Sequence, residues 1–183
     1  MVEELLEKIP PERCWEITAK ILSSFFVLRG EKIIAPSLGI EEGVIAPIMG
    51  AEKWIEINVR GFSEGLAEGL AWIQKTFNIP VEDAIDADNL MTVSSRLEIG
   101  PEWEHEYIER TPEKVVCKLT KCPWWERYKE FNVDPAYIPC GAGHQAVCEL
   151  AFKGINPKIT YKLTKAIPWG DPYCEEVYEL KEE

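Results

Sequence analysis

Thiols and imidazoles attack electrophilic carbons, move protons near neutrality and hold soft metals. Five of the six cysteines and one of the two histidines of this chain fall between Cys117 and Cys174. The order is Cys117, Cys122, then Cys140, His144 and Cys148 at steps of four, then Asp171 and Cys174 after a polar hairpin. Two chemistries fit these types: a metal or cluster held by sulfur and imidazole, or a thiol nucleophile with a base beside it.

Spacing limits the first. On a helix, steps of four keep Cys140, His144 and Cys148 on one face but lift each about 6 Å along the axis. Cys140 and Cys148 then stand about 12 Å apart, whereas two thiolates on one zinc lie within about 4 Å of each other. One ion can take Cys140 with His144, or His144 with Cys148, completed by Cys122, Cys174 or Asp171. Cys117 and Cys122 lie on opposite faces of an extended strand unless the strand ends between them. An iron–sulfur cluster on Cys122, Cys140, Cys148 and Cys174 is the alternative, because a cluster spans thiols that one ion cannot. The cofactor is left undecided between zinc and iron–sulfur, and buried apolar cysteine is the plainer reading of any single thiol.

The second chemistry centres on Cys140. Pro139 precedes it, and a helix that opens at Cys140 lowers the thiol pKa through its N-terminus. His144, one turn along, is placed as its base, and the intervening Gly-Ala-Gly leaves backbone amides open to an oxyanion. Asp171 is a third candidate catalytic group, although Asp after Gly170 in a tight turn also serves turn geometry alone. Trp124, Trp125 and Trp169 are candidates to wall a small-molecule pocket, with core packing as the plainer role. His105, between Glu104 and Glu106, reads as a solvated residue.

The elements that must position these groups follow from periodicity. Residues 11–29 carry apolar groups at helical spacing, and 31–50, broken by Pro36, Gly39, Gly43 and Pro47, read as a loop or irregular hairpin. From 51 to 77, Ile55, Val59, Phe62, Leu66, Leu70, Ile73 and Phe77 form one continuous helical face. Gly61, Gly65 and Gly69 form a second row, which predicts a close-packed neighbouring backbone or, as the sharper reading, a flat ligand or second subunit in the groove, since each interior glycine costs roughly 1 kcal/mol relative to alanine. A helix from Pro80 to about Arg96 buries Ala84, Ile85, Leu90, Met91 and Val93. The period then changes to two. Strands over 105–110 and 115–122 turn at Thr111 to Glu113, short helices follow at 123–131 and 140–153, and two strands end the chain around a turn at 168–172. The expected fold is α+β: one domain over 1–183, mainly helical over 1–100, then a four-stranded antiparallel sheet covered by the helix that bears Cys140 and His144.

Composition narrows the partners. A hydrophobic fraction of 46% and a charged fraction of 28% describe a globular chain. Lys and Arg total 20 against 32 for Asp and Glu, a net charge of -12, which argues against nucleic acid as a partner. The longest apolar run, 21–28, is far short of the roughly 20 residues of a membrane span. The acidic first nine residues resemble no signal peptide, so a cytoplasmic location without disulfides is expected. A small-molecule ligand is the expected partner, with a homo-oligomer left open.

Residues 117–181 carry a resemblance. Cys122-Pro-Trp-Trp, a cysteine-bearing helix, Gly154-Ile-Asn-Pro157 and Gly170-Asp-Pro-Tyr-Cys174 resemble the L-2-amino-thiazoline-4-carboxylic acid hydrolase-like family. More distantly they resemble 4-vinyl reductase-type small-molecule-binding domains. The first resemblance implies a hydrolase that opens a thiazoline ring, with Cys122, Cys140, Asp171 and Cys174 as the positions carried over. The expected activity is hydrolysis of a small sulfur- or nitrogen-containing carboxylic acid at a cysteine-rich site. The alternatives are a non-catalytic module that binds a metal, an iron–sulfur cluster or a small ligand, and a structural protein with inert thiols.

Overall fold

The computed structural model describes residues 8–10, 13, 51–99, 103–130 and 140–181. Apart from Arg13, the helix expected over 11–29 and the loop expected over 31–50 lie outside the described residues.

Helix α1 spans Ala51–Phe77. Leu66, Leu70 and Ile73 of its apolar face are buried. Its end is chemically marked: Asn78 takes the left-handed conformation (φ 51°), its N–H reaches Lys75 O at 3.4 Å, and Ile79 N–H reaches Gln74 O at 3.0 Å. That pair of bonds is a Schellman stop, with Ile79 buried as its apolar anchor. The glycine row does not do what its spacing suggests. Among the described residues a Cβ built on Gly65 or Gly69 meets nothing within 4 Å, and none of their backbone packs closely there.

Helix α2 is Ala84–Ile99, four residues later than Pro80. Asp83 is the reason. Its Oδ1 accepts from Asp86 N–H at 2.9 Å, and Asp86 Oδ2 accepts from Glu82 N–H, one residue before the cap, at 3.0 Å; the two bonds fix the start. Ala84, Leu90, Met91 and Val93 are buried as the spacing predicts, with Ile85 half-buried. So are polar residues of the same helix: Asp88, Asn89, Thr92, Ser94 and Ser95.

Strands β1 (Glu104–Arg110) and β2 (Lys114–Lys121) form a hairpin whose turn is closed by Thr111 N–H to Lys114 O at 2.8 Å and Lys114 N–H to Thr111 O at 3.2 Å. Helix α3 (Pro123–Glu130) follows, then α4 (Cys140–Ile155), β3 (Ile159–Lys165), a 3-10 turn (Ile167–Trp169) and β4 (Cys174–Leu180). All strand pairs are antiparallel in the order β1-β2-β4-β3. Helices α2 and α4 cover one face of this sheet, and α1 lies against α4.

Alternation decides which side chains face that helical layer. From β2 they are Val115, Cys117 and Leu119, from β3 Ile159, Tyr161 and Leu163, and from β4 Cys174, Glu176 and Tyr178. The core thus holds a glutamate among apolar and aromatic groups. None of the described helices is long and apolar enough to cross a membrane.

Candidate active site

Four elements converge where the first turn of α4 meets β4. Helix α4 opens at Cys140, and one turn on the same face presents His144. Strand β2 ends at Lys121, which frees Cys122 from strand parity. Trp124 and Trp125 follow in α3, while β4 supplies Cys174 and Glu176. These seven side chains line one cavity of about 60 Å³, closed by Leu66 and Leu70 of α1, Met91, Ser94 and Ser95 of α2, and Ile167 and Pro168 of the 3-10 turn. A water needs roughly 10–15 Å³ by this measure, so the cavity holds about four waters or one small molecule.

The remaining candidates stand elsewhere. Cys148, two turns along α4 from Cys140, is fully buried with its Sγ 3.9 Å from Met91 Sδ. Asp171 closes the turn before β4: its Oδ2 accepts from Ala166 N–H at 2.9 Å and its own N–H reaches Ala166 O at 3.3 Å. Cys174 joins that task, its Sγ accepting from Ile167 N–H at 3.4 Å, so the Gly170-Asp171…Cys174 motif shapes the turn that walls the cavity. Gly170 permits it with φ 98°. Trp169 is exposed, and its indole lies over the start of α4: a Cβ on Gly141 would stand 2.7 Å from Trp169 Nε1. Among the described residues no group of three or more His, Cys, Asp or Glu side chains is placed to hold a metal ion, the set Cys122, Cys140, His144, Cys148 and Cys174 included. Helical rise is one cause, since it carries Cys148 away from Cys140.

Glu176 is the residue that spacing arguments missed. It is 3% exposed, and Oε1 lies 3.2 Å from Nε2 of His144. Oε2 accepts from Tyr178 O–H at 2.8 Å and from the Cys117 thiol at 3.8 Å. The signal was present in the alternation Cys174, Glu176, Tyr178, Leu180, which puts a carboxylate in phase with the core. His105 was also misplaced by its acidic flanks. It is half-buried between the rings of Trp103 (4.6 Å) and Tyr107 (4.8 Å), and its buried Nδ1 makes no hydrogen bond among the described residues.

Electrostatics divide the cavity wall into one ion pair and three neutral thiols. Burial pushes Cys140 up to about 12, with Cys122 and Cys174 adding to the push against the opposing effect of His144. Cys122 and Cys174 are also raised, mainly by burial. For His144, burial acts downward but is outweighed by Cys148 and Glu176, which hold the imidazole well above 6.5. Burial acts upward on Glu176 but is outweighed by His144 and by the Tyr178 hydrogen bond, so the carboxyl sits below 4.5. At neutral pH the pair is imidazolium and carboxylate, and the thiols keep their protons. His105, lowered chiefly by burial, is neutral there.

Residues 44–178 match the family model described as L-2-amino-thiazoline-4-carboxylic acid hydrolase. The match reaches through α1 and α2, well beyond the segment 117–181 that carries the resemblance in sequence. An H-NOX domain from Shewanella oneidensis in its Fe(II)CO state is similar at 11% identity and a TM-score of 0.44, over 91% of this chain and 98% of that one. The phenol-responsive sensory domain of the transcription activator PoxR, solved with phenol, is similar at 11% identity and a TM-score of 0.39, over 89% and 90% of the two chains. No curated protein matches.

Proposed function

Because the chain belongs to the L-2-amino-thiazoline-4-carboxylic acid hydrolase family, we propose that it hydrolyses a small cyclic acid containing sulfur and nitrogen in the cavity between α4 and β4. The observation that carries this reading is convergence: Cys122, Cys140, Cys174, His144 and Glu176 come from three separate segments and line one mainly apolar cavity. Such a site excludes bulk water and strengthens the interactions inside it.

Hydrolysis of an amino-thiazoline adds water to the carbon between sulfur and nitrogen, and one of the two ring bonds to that carbon then breaks. Cleavage of C–S leaves a free thiol and a ureido group; cleavage of C–N leaves a thiocarbamate and an amine. His144, charged beside Glu176, is in the state to donate a proton to the leaving atom. Cys140 is in the wrong state for direct attack, because its thiol is protonated and its neighbouring imidazole already holds a proton. It becomes a nucleophile only if a ligand first takes the His144 proton. Cys122 and Cys174 are the flanking thiols of the wall, and Trp124 and Trp125 bound its apolar side.

The test is incubation of the purified protein with 2-amino-thiazoline-4-carboxylate, following thiol release and the ring-opened product. His144→Gln is expected to lower kcat by about 10²-fold or more, the usual worth of a positioned acid. Full activity in Cys140→Ala removes the thiol from the mechanism, and no turnover by the wild type removes the hydrolase reading. A binding module without turnover is the second reading. It is favoured by the neutral state of every thiol in the wall, and elemental analysis of anaerobically purified protein tests the metal-bound form of that reading.

A further inference from the structure

The cavity wall holds one negative and one positive group, and they are only partly satisfied by each other. Oε2 of Glu176 is occupied by Tyr178 and Cys117. Oε1 faces His144 Nε2 at 3.2 Å, yet among the described residues that buried nitrogen makes no well-aligned hydrogen bond. The two charges attract at short range without being locked in line, so each keeps bonding capacity for a third party. Every other side chain lining the cavity, among the described residues, is uncharged: indoles, aliphatic groups, two serines and thiols.

We infer that His144 and Glu176 make the cavity selective for small zwitterions, with the ligand's carboxylate on His144 and its amidinium or ammonium on Glu176. The inference rests on the cavity being the substrate site of the proposed function. Charge bookkeeping carries it. The pair sums to zero, so a ligand with one charge leaves that charge uncompensated in a desolvated space. A ligand with both charges splits the pair and replaces one ion pair with two. The indoles of Trp124 and Trp125 in the same wall offer π surface that further favours the cationic end. A simple carboxylate of matching size is therefore a poor ligand, although the pocket contains an imidazolium.

Calorimetric titration of the whole chain with three probes of similar size tests this: 2-amino-thiazoline-4-carboxylate carries both charges, thiazole-4-carboxylate only the negative, and 2-aminothiazoline only the positive. Wild type is expected to bind the first at least about tenfold more tightly than either of the others. Glu176→Gln leaves a net positive wall and should invert the order toward thiazole-4-carboxylate. His144→Gln leaves a net negative wall and should favour 2-aminothiazoline. The second variant keeps the test alive if the first does not fold, which a cooperative melt establishes. Equal binding of the anion and the zwitterion by wild type overturns the inference, as does an unchanged order in a folded variant or no binding of any probe. Turnover of the zwitterion without this order sinks only the inference; the order without turnover sinks only the hydrolase reading.

Discussion

Glu176 and His144 set the pH behaviour of the site. Glu176, held below 4.5, contributes stability that is present above 4.5 and lost as pH falls through its lower folded value. His144, held above 6.5, contributes stability that is complete below 6.5 and lost as pH rises through its higher folded value. Both contributions are whole between 4.5 and 6.5. Removing one partner of a buried pair costs about 3–5 kcal/mol, so Glu176→Gln should lower stability most in that interval and less on either side. Thermal melts of the two proteins across pH 4 to 9 read the difference; a constant gap would mean that the pair does not carry it. Cys140 and His144 were legible because a spacing of four is a local property of a helix. Glu176 was not, because a fully buried glutamate is rare and its partner lies on another element.

At the scale of elements, helix α1 carries an unused margin. Gly65 and Gly69 sit in the interior of α1, and among the described residues nothing stands where a side chain would go. Gly65→Ala and Gly69→Ala should each stabilise the protein by roughly 0.5–1 kcal/mol, through lower unfolded-chain entropy and better helix propensity. Chemical denaturation measures this, and destabilisation by either change would show that something covers the row. The extent of α1 was readable, since its apolar face repeats at three and four until Asn78 stops it. The start of α2 was misread because Pro80 is permitted in a first turn while Asp83 and Asp86 supply a cap, and capping bonds fix a start more firmly than tolerance does. The strand and turn positions of the second half followed from period-two alternation, which the register confirms.

Across the molecule, helix α2 is tied to edge strand β1 through Asp88. Its Oδ2 accepts from Tyr107 O–H at 2.7 Å and lies 3.8 Å from Arg110 Nε, while Arg110 Nη2 donates to Asn89 Oδ1 at 3.0 Å. Asp88 is 1% exposed, and burial, only partly offset by Tyr107 and Arg110, raises it from 3.8 to about 6. A raised carboxyl favours the folded state at low pH, so its contribution is full below 3.8 and lost as pH rises through about 6. Relative to Asp88→Asn, the wild type should therefore lose stability between those values, by roughly 3 kcal/mol if the whole shift is expressed. Parallel unfolding curves at pH 4 and pH 7 test it; equal differences at the two pH values refute it.

The sequence by itself determined the α+β order, the boundaries of α1 and α4, the hairpin turns and the thiol–imidazole pair at the start of α4. Each of these depends on periodicity or caps within a few residues. Only the tertiary structure decided which thiols share a cavity with His144, and that Glu176 joins them. Those neighbours are set by the strand order β1-β2-β4-β3, the registers and the docking of α4 on the sheet. Such contacts join residues far apart in the chain, and no local pattern encodes them.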